Sequence, residues 1–204
     1  MPETSRTGTP RVIYLIIGLL LFLGVHSVAV VAPRWRERML SRLGEGKWKG
    51  LYSAIAAVGL VLLIYGYGQA RQDPILVYAP PLWTRHLTAL LMLPVFPLLF
   101  ATYLPGRIKA VLKHPMLASV KLWAFAHLLS NGTLADLLLF GGLLLWAVAD
   151  RISFKRRPPN PIPQATPSKT NDVIALVAGL AVYVAFVFWL HLWLIGVPVA
   201  LPAP

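Results

Sequence analysis

Six apolar blocks divide the chain, at residues 12–32, 51–67, 86–104, 116–130, 134–149 and 173–197. No other feature limits the fold as tightly. A hydrocarbon core roughly 30 Å thick takes about 20 residues of helix. Backbone amides inside lipid find no water, so a spanning segment of this kind is helical. The reading is an all-α, polytopic membrane bundle of six transmembrane helices. The fourth and fifth blocks are short and meet at Asn131-Gly132, a turn dipeptide. They read as a tight spanning hairpin, with a re-entrant pair buried in protein as the alternative.

Composition supports the same class. Hydrophobic residues make up 57% of the chain and charged residues 13%, against about 25% charged in an ordinary soluble domain. The formal charge is +12. Its distribution sets aside a nucleic-acid partner, because the basic residues lie between apolar blocks and not on a soluble face. Fourteen of them fall in alternate loops, at Arg34, Arg36, Arg38, Arg42, Lys47, Lys49, Arg107, Lys109, Lys113, Arg151, Lys155, Arg156, Arg157 and Lys169. The opposite side holds Arg6, Arg11, Arg71 and Arg85. Retention of Lys and Arg in the cytoplasm then puts both termini outside it, in the periplasm if the membrane is a bacterial inner membrane. The chain has no cysteine, which removes disulfides, zinc–thiolate sites and cysteine nucleophiles together.

Several local features add detail. The first ten residues are polar and no small-residue cleavage site follows the first block, so that block reads as a retained helix and not a secretory signal. Residues 33–50 mix Trp35 and Trp48 with arginines, as suits an amphipathic segment lying at the interface. Ala56, Gly59 and Gly66 recur near helical spacing and invite a close neighbour. Pro94 and Pro97 should kink the third helix and free backbone carbonyls. Residues 158–167 hold five prolines and read as an extended linker.

Chemistry falls to the five histidines, since ionisable groups within lipid raise a functional question by default. His26 lies inside the first block. It is either a ligand or a neutral imidazole bonded to a neighbouring helix. His127 lies inside the fourth, with Trp123 and Asn131 four residues to either side, so all three should share a face. His114 precedes Pro115 at the cytoplasmic interface, and Lys121 is placed to snorkel to the headgroups. His86 and His191 sit among tryptophans and read as belt residues. Thr133-x-x-Asp136 reads as a capping box. Two histidines on different helices suit the axial positions of a haem iron, which makes His26 and His127 the metal-ligand pair. On the six-span reading His26 lies roughly 9 Å, and His127 roughly 18 Å, from the inner end of its helix. His127 alone, or His127 with His114, is the alternative ligand set.

The segments Leu20-Leu21-Phe22-Leu23-Gly24-Val25-His26-Ser27, Leu43-Gly44-Glu45-Gly46-Lys47-Trp48-Lys49-Gly50-Leu51-Tyr52-Ser53, Lys113-His114-Pro115-Met116 and Lys121-Leu122-Trp123-Ala124-Phe125-Ala126-His127-Leu128-Leu129-Ser130-Asn131-Gly132 resemble the NnrU family. The plant zeta-carotene isomerase looks like a relative of that family. The resemblance implies a haem b protein of a bacterial inner membrane, with His26, His127 and His114 as cofactor-binding candidates. It also implies a role in nitrite and nitric oxide metabolism or denitrification, with an apolar substrate or a respiratory reductase subunit as partner besides the membrane lipid. Any enzymatic activity would then be a haem-dependent isomerisation or redox step. A cysteine-based ligand exchange of the isomerase kind is excluded here. The domain reading is an NnrU-like membrane domain at 12–151, a basic Pro-rich cytoplasmic linker at 152–172 and an additional transmembrane helix at 173–197. His114-Pro115 also resembles isoprenylcysteine-type membrane methyltransferases, but their later acidic cofactor motif has little to match it, since Asp172 is the only acid after Asp150. A non-catalytic assembly partner of respiratory reductases is the third reading.

Overall fold

The apolar blocks do become helices. The computed structural model describes residues 9–157, 162 and 164–199, and among them there is no strand, only an isolated bridge between Leu76 and Thr133. The N-terminal eight residues, the C-terminal five and much of the 158–167 linker lie outside the described residues. The chain divides into two units, residues 1–79 with 131–146, and residues 80–130 with 147–204.

The first unit is built on α1 (Thr9–Val31) and α3 (Glu45–Ala70). At 1.5 Å per residue each exceeds about 30 Å in length. Their antiparallel seam is made of small residues. A Cβ on Gly66 would strike the Leu15 backbone, one on Gly18 the Leu63 backbone, and one on Gly59 would lie 2.7 Å from the Phe22 nitrogen. Close approach of this kind is how helices associate where lipid offers no hydrophobic drive. Gly59 and Gly66 thus meet the neighbour that their spacing called for, while Gly18 on the facing helix completes the seam. The outward faces are apolar, with Leu20 at 69% and Val61 at 65% exposure. In water so large an apolar surface would be untenable, whereas lipid accepts it.

Between these helices runs α2 (Pro33–Leu43), which starts with Pro at its first turn and buries none of its residues. Gly44, at φ 77°, makes the corner into α3. The unit is completed by α8 (Leu134–Asp136), a π turn at Leu137–Gly141, and the start of α9 (Gly142–Ser153). Residues 75–78 hold the Asn131-Gly132 turn. The amides of Val77 and Tyr78 donate to the Gly132 carbonyl at 2.9 and 3.1 Å, and the Tyr78 hydroxyl donates to that of Asn131 at 2.7 Å.

The second unit packs α4 (Thr84–Met92), α5 (Val95–Tyr103), α6 (Arg107–Leu112) and α7 (Pro115–Ser130) with α10 (Thr170–Ala185), which continues through a π turn at Phe186–Leu190 into α11 (His191–Ile195). The proline break falls at Leu93–Pro94. Leu93 N–H turns back to the Leu90 carbonyl, and the Ala89 carbonyl it leaves accepts from the Tyr183 hydroxyl at 2.9 Å. Ser119 donates to the Val95 carbonyl at 2.9 Å, tying α7 to α5. The Ala89 acceptor left at the break is therefore satisfied inside the protein, as lipid requires. Asp172 caps α6 from a distance, accepting from the amides of Arg107 at 2.7 Å and Ile108 at 3.1 Å. Gly106 leaves room for that carboxylate, which a Cβ would strike. Ala165 and Ser168 donate to the carbonyls of Tyr103 and Pro105, so these described linker residues are tied to the α5–α6 corner.

Four segments are long and apolar enough to cross a membrane: Val12–Val31, Glu45–Ala70, Thr84–Tyr103 and Thr170–Ile195. They agree with four of the six blocks. The count of six is not confirmed by length and hydropathy, for two physical reasons. Helix α7 has only 16 residues. The run from Leu134 to Ser153 is long enough, yet carries Asp136, Asp150 and Arg151. Asn131 also stands just beyond the end of α7, so the shared helical face holds for Trp123 and His127 alone.

Candidate functional site

His26 sits in α1 within an aromatic enclosure. Its ring lies on Phe22, one turn earlier, with centroids 4.4 Å apart. Tyr52 from α3 meets it edge-on at 5.4 Å and Trp146 from α9 at 5.9 Å. His26 Nδ1 lies 2.7 Å from the Phe22 carbonyl. A carbonyl only accepts, so Nδ1 carries the proton and Nε2 of the neutral ring carries the lone pair. Trp146 Nε1 is a buried donor with no acceptor among the described residues. Phe22 was within reach of sequence reasoning, being four residues away on one helical face. Tyr52 and Trp146 come from distant positions and were not.

His127, in α7, repeats the arrangement. Its Nδ1 lies 2.8 Å from the Trp123 carbonyl and its ring is tilted against the Trp123 ring at 5.2 Å. The preceding carbonyl, that of Ala126, accepts from Thr88 of α4 at 2.8 Å, which fixes this part of α7 against its neighbour. His26 belongs to the first unit and His127 to the second.

His114 is in the second unit with His127, but its surroundings differ. It follows Lys113, a non-glycine residue at φ 62°, and stacks flat on Phe154 at 4.1 Å. Arg157 lies over the same Phe154 ring at 4.4 Å and pairs with Asp150. Burial pushes the His114 imidazole below its ordinary value, and the nearby Arg151 charge adds to this. His86 is exposed beside exposed Trp83, and His191 bonds the Val197 carbonyl at 2.6 Å near exposed Trp189 and Trp193. Lys121 is half-buried within α7.

Asp136 is buried and forms the capping box that its spacing predicts, with Thr133. Sequence reasoning missed its second partner residue. Tyr67 donates to one carboxylate oxygen at 2.6 Å, while the amide and hydroxyl of Thr133 donate to the other at 2.9 and 2.7 Å. Three donors converge on the carboxylate, and hydrogen bonds to a charged acceptor are roughly twice as strong as those an amide would make. Asp136→Asn should therefore cost roughly 1–3 kcal/mol, more than a helix cap alone would lose. A chemical-denaturation series in detergent measures this, and a midpoint equal to wild type would reduce Asp136 to an ordinary cap.

No group of three or more metal-ligating side chains occurs among the described residues. Haem needs only one or two axial ligands from protein, and the donor chemistry of His26 and His127 fits it. A ligating histidine characteristically gives its second ring N–H to a carbonyl or carboxylate, which fixes the tautomer.

Comparison with known proteins returns no matching curated protein and no matching solved structure. The family model described as NnrU protein matches residues 14–199. That match takes in α1 through α11 almost entire, including the segments whose resemblance the sequence already carried. This chain is a membrane protein of the NnrU family.

Proposed function

We propose that this chain is a haem b-binding protein of a bacterial inner membrane, acting in nitrogen-oxide metabolism. The observation that supports it is the shared setting of two half-buried histidines, each with Nδ1–H on the carbonyl one turn back and Nε2 left with the lone pair. His127 is the first axial-ligand candidate and His26 the second, with His114 the reserve. When bound, haem supplies a redox-active iron. The chain's own part is to hold imidazoles in one tautomer by the Phe22 and Trp123 carbonyls. It also shields His26 from water with Phe22, Tyr52 and Trp146. An aromatic wall of this kind would also admit an apolar substrate.

Protein purified from haem-replete cells should show a Soret band that shifts on reduction by dithionite. A colourless and fully helical preparation would sink the proposal. The orientation belongs to the same reading and rests on the fourteen basic residues of alternate loops. Reporter fusions after Arg42, Lys109 and Arg157 should read cytoplasmic, and fusions after Gln72 and Gly132 external. A cytoplasmic signal after Gln72 overturns the orientation. A cytoplasmic signal after Gly132 alone indicates a re-entrant pair.

A further inference from the structure

The first unit carries an apolar groove of about 290 Å³ among α1, α2 and α3. Trp35 and Trp48 stand on its wall with their rings edge to face, centroids 5.7 Å apart. Leu20, Val28 and Ile55 contribute to the remainder. Gly24 opens directly onto this space, since a Cβ built there meets nothing within 4 Å. The groove shares Tyr52 with the enclosure of His26 but takes no part in fixing the imidazole tautomers described above.

The helix that edges the groove is strongly basic. Arg34, Arg38 and Arg42 recur every fourth residue and so share one face of α2, with Arg36 nearby. None of the four forms an ion pair among the described residues, and Glu37 is the only acid on the helix. On the adjoining face Trp35, Met39 and Leu43 are apolar. Tryptophans at this position favour the level of the headgroups, and guanidinium forks match phosphate oxygens in pairs. An apolar slot beside a row of unpaired guanidiniums is complementary to a molecule with a fatty chain and an anionic head. A free phosphate would leave the slot empty, and a lipid without net charge would leave the arginines uncompensated.

We infer that the groove holds one acyl chain of an anionic phospholipid whose phosphate lies against the arginines of α2. The test uses the full chain, reconstituted in discs of equal phosphatidylglycerol and phosphatidylcholine, then released into mild detergent for native mass spectrometry. Wild type should retain one phosphatidylglycerol in clear preference to phosphatidylcholine. Gly24→Leu extends into a space where a Cβ meets nothing within 4 Å, and should lower that retention about tenfold, as should the exposed triple variant Arg34→Gln/Arg38→Gln/Arg42→Gln. Circular dichroism checks that each remains helical, and the triple variant keeps the test decisive if Gly24→Leu fails to fold. Equal retention of both lipids, or wild-type retention in the helical variants, overturns the inference. So does a haem adduct that Gly24→Leu abolishes in place of the lipid.

Discussion

His127→Ala should abolish haem retention while helical content persists. The expectation follows from where the side chain stands. Helix α7 is held by Ser119 on the Val95 carbonyl and by Thr88 on the Ala126 carbonyl, neither of which involves the imidazole. Removing the ring frees the Trp123 carbonyl and leaves both of those bonds in place, so the helix should survive while the proposed donor to iron is lost. Losing a group that merely orients a ligand costs about 10–100-fold in metal affinity, and losing the ligand itself costs more. Haem content after gel filtration should fall close to zero. His26→Ala should instead leave a weakened, five-coordinate, high-spin site, visible as a changed Soret position and resonance spectrum. If both variants keep the wild-type spectra, the ligand assignment is wrong. Were His127→Ala alone silent, with His114→Ala colourless, the reserve candidate would take its place.

Gly66→Leu should disrupt the first unit outright. A Cβ there meets the Leu15 nitrogen, and lies 2.6 Å from the Tyr14 carbonyl carbon and 2.7 Å from the Leu15 Cα. These are backbone atoms of the facing helix and cannot rotate aside. Either α1 and α3 separate along the seam or the variant fails to accumulate. Overpacking of a close contact costs about 1–3 kcal/mol, occasionally more, and Leu adds a whole side chain, so the effect belongs at or beyond the upper end. Gly68→Leu is the control, because a Cβ two residues further along the same helix meets nothing within 4 Å. Thermal denaturation in detergent should drop sharply for Gly66→Leu and stay near wild type for Gly68→Leu. Equal midpoints would show that the seam does not carry the packing of these helices.

The features legible in the sequence are those that act locally or through composition. Apolar length announced the helices, the spacing of Gly59 and Gly66 announced a close neighbour, and Thr133-x-x-Asp136 announced a helix start. Pro94 announced a break, because a missing N–H must free a carbonyl wherever the chain goes next. What escaped needed two positions far apart. Gly18 has no glycine three, four or seven residues away in its own helix and becomes meaningful only opposite Leu63. Tyr67 reaches Asp136, and Asp172 reaches the amides of α6, across more than sixty residues. The histidines could be ranked by depth, but the rings of Tyr52 and Trp146 around His26 depend on how α1, α3 and α9 meet. The count of six spans is not confirmed, since four segments are long and apolar enough to cross. Length and hydropathy alone could not show that the Leu134–Ser153 helix would bring Asp136 inward to Tyr67.

The π turn at Leu137–Gly141 stands between two fixed points on that same helix. Ahead of it Asp136 is tied to Tyr67 and Thr133, and beyond it Trp146 meets His26. A π turn is in effect one residue inserted into an α-helix, and each residue advances an α-helix by about 100°. The phase between anchor and enclosure is thus written as a single extra residue. A relative lacking that residue would keep both side chains in its alignment and yet turn its tryptophan about a quarter of the way round the helix, away from the imidazole. In this part of the chain a one-residue gap would say more about the histidine's surroundings than any substitution among the leucines.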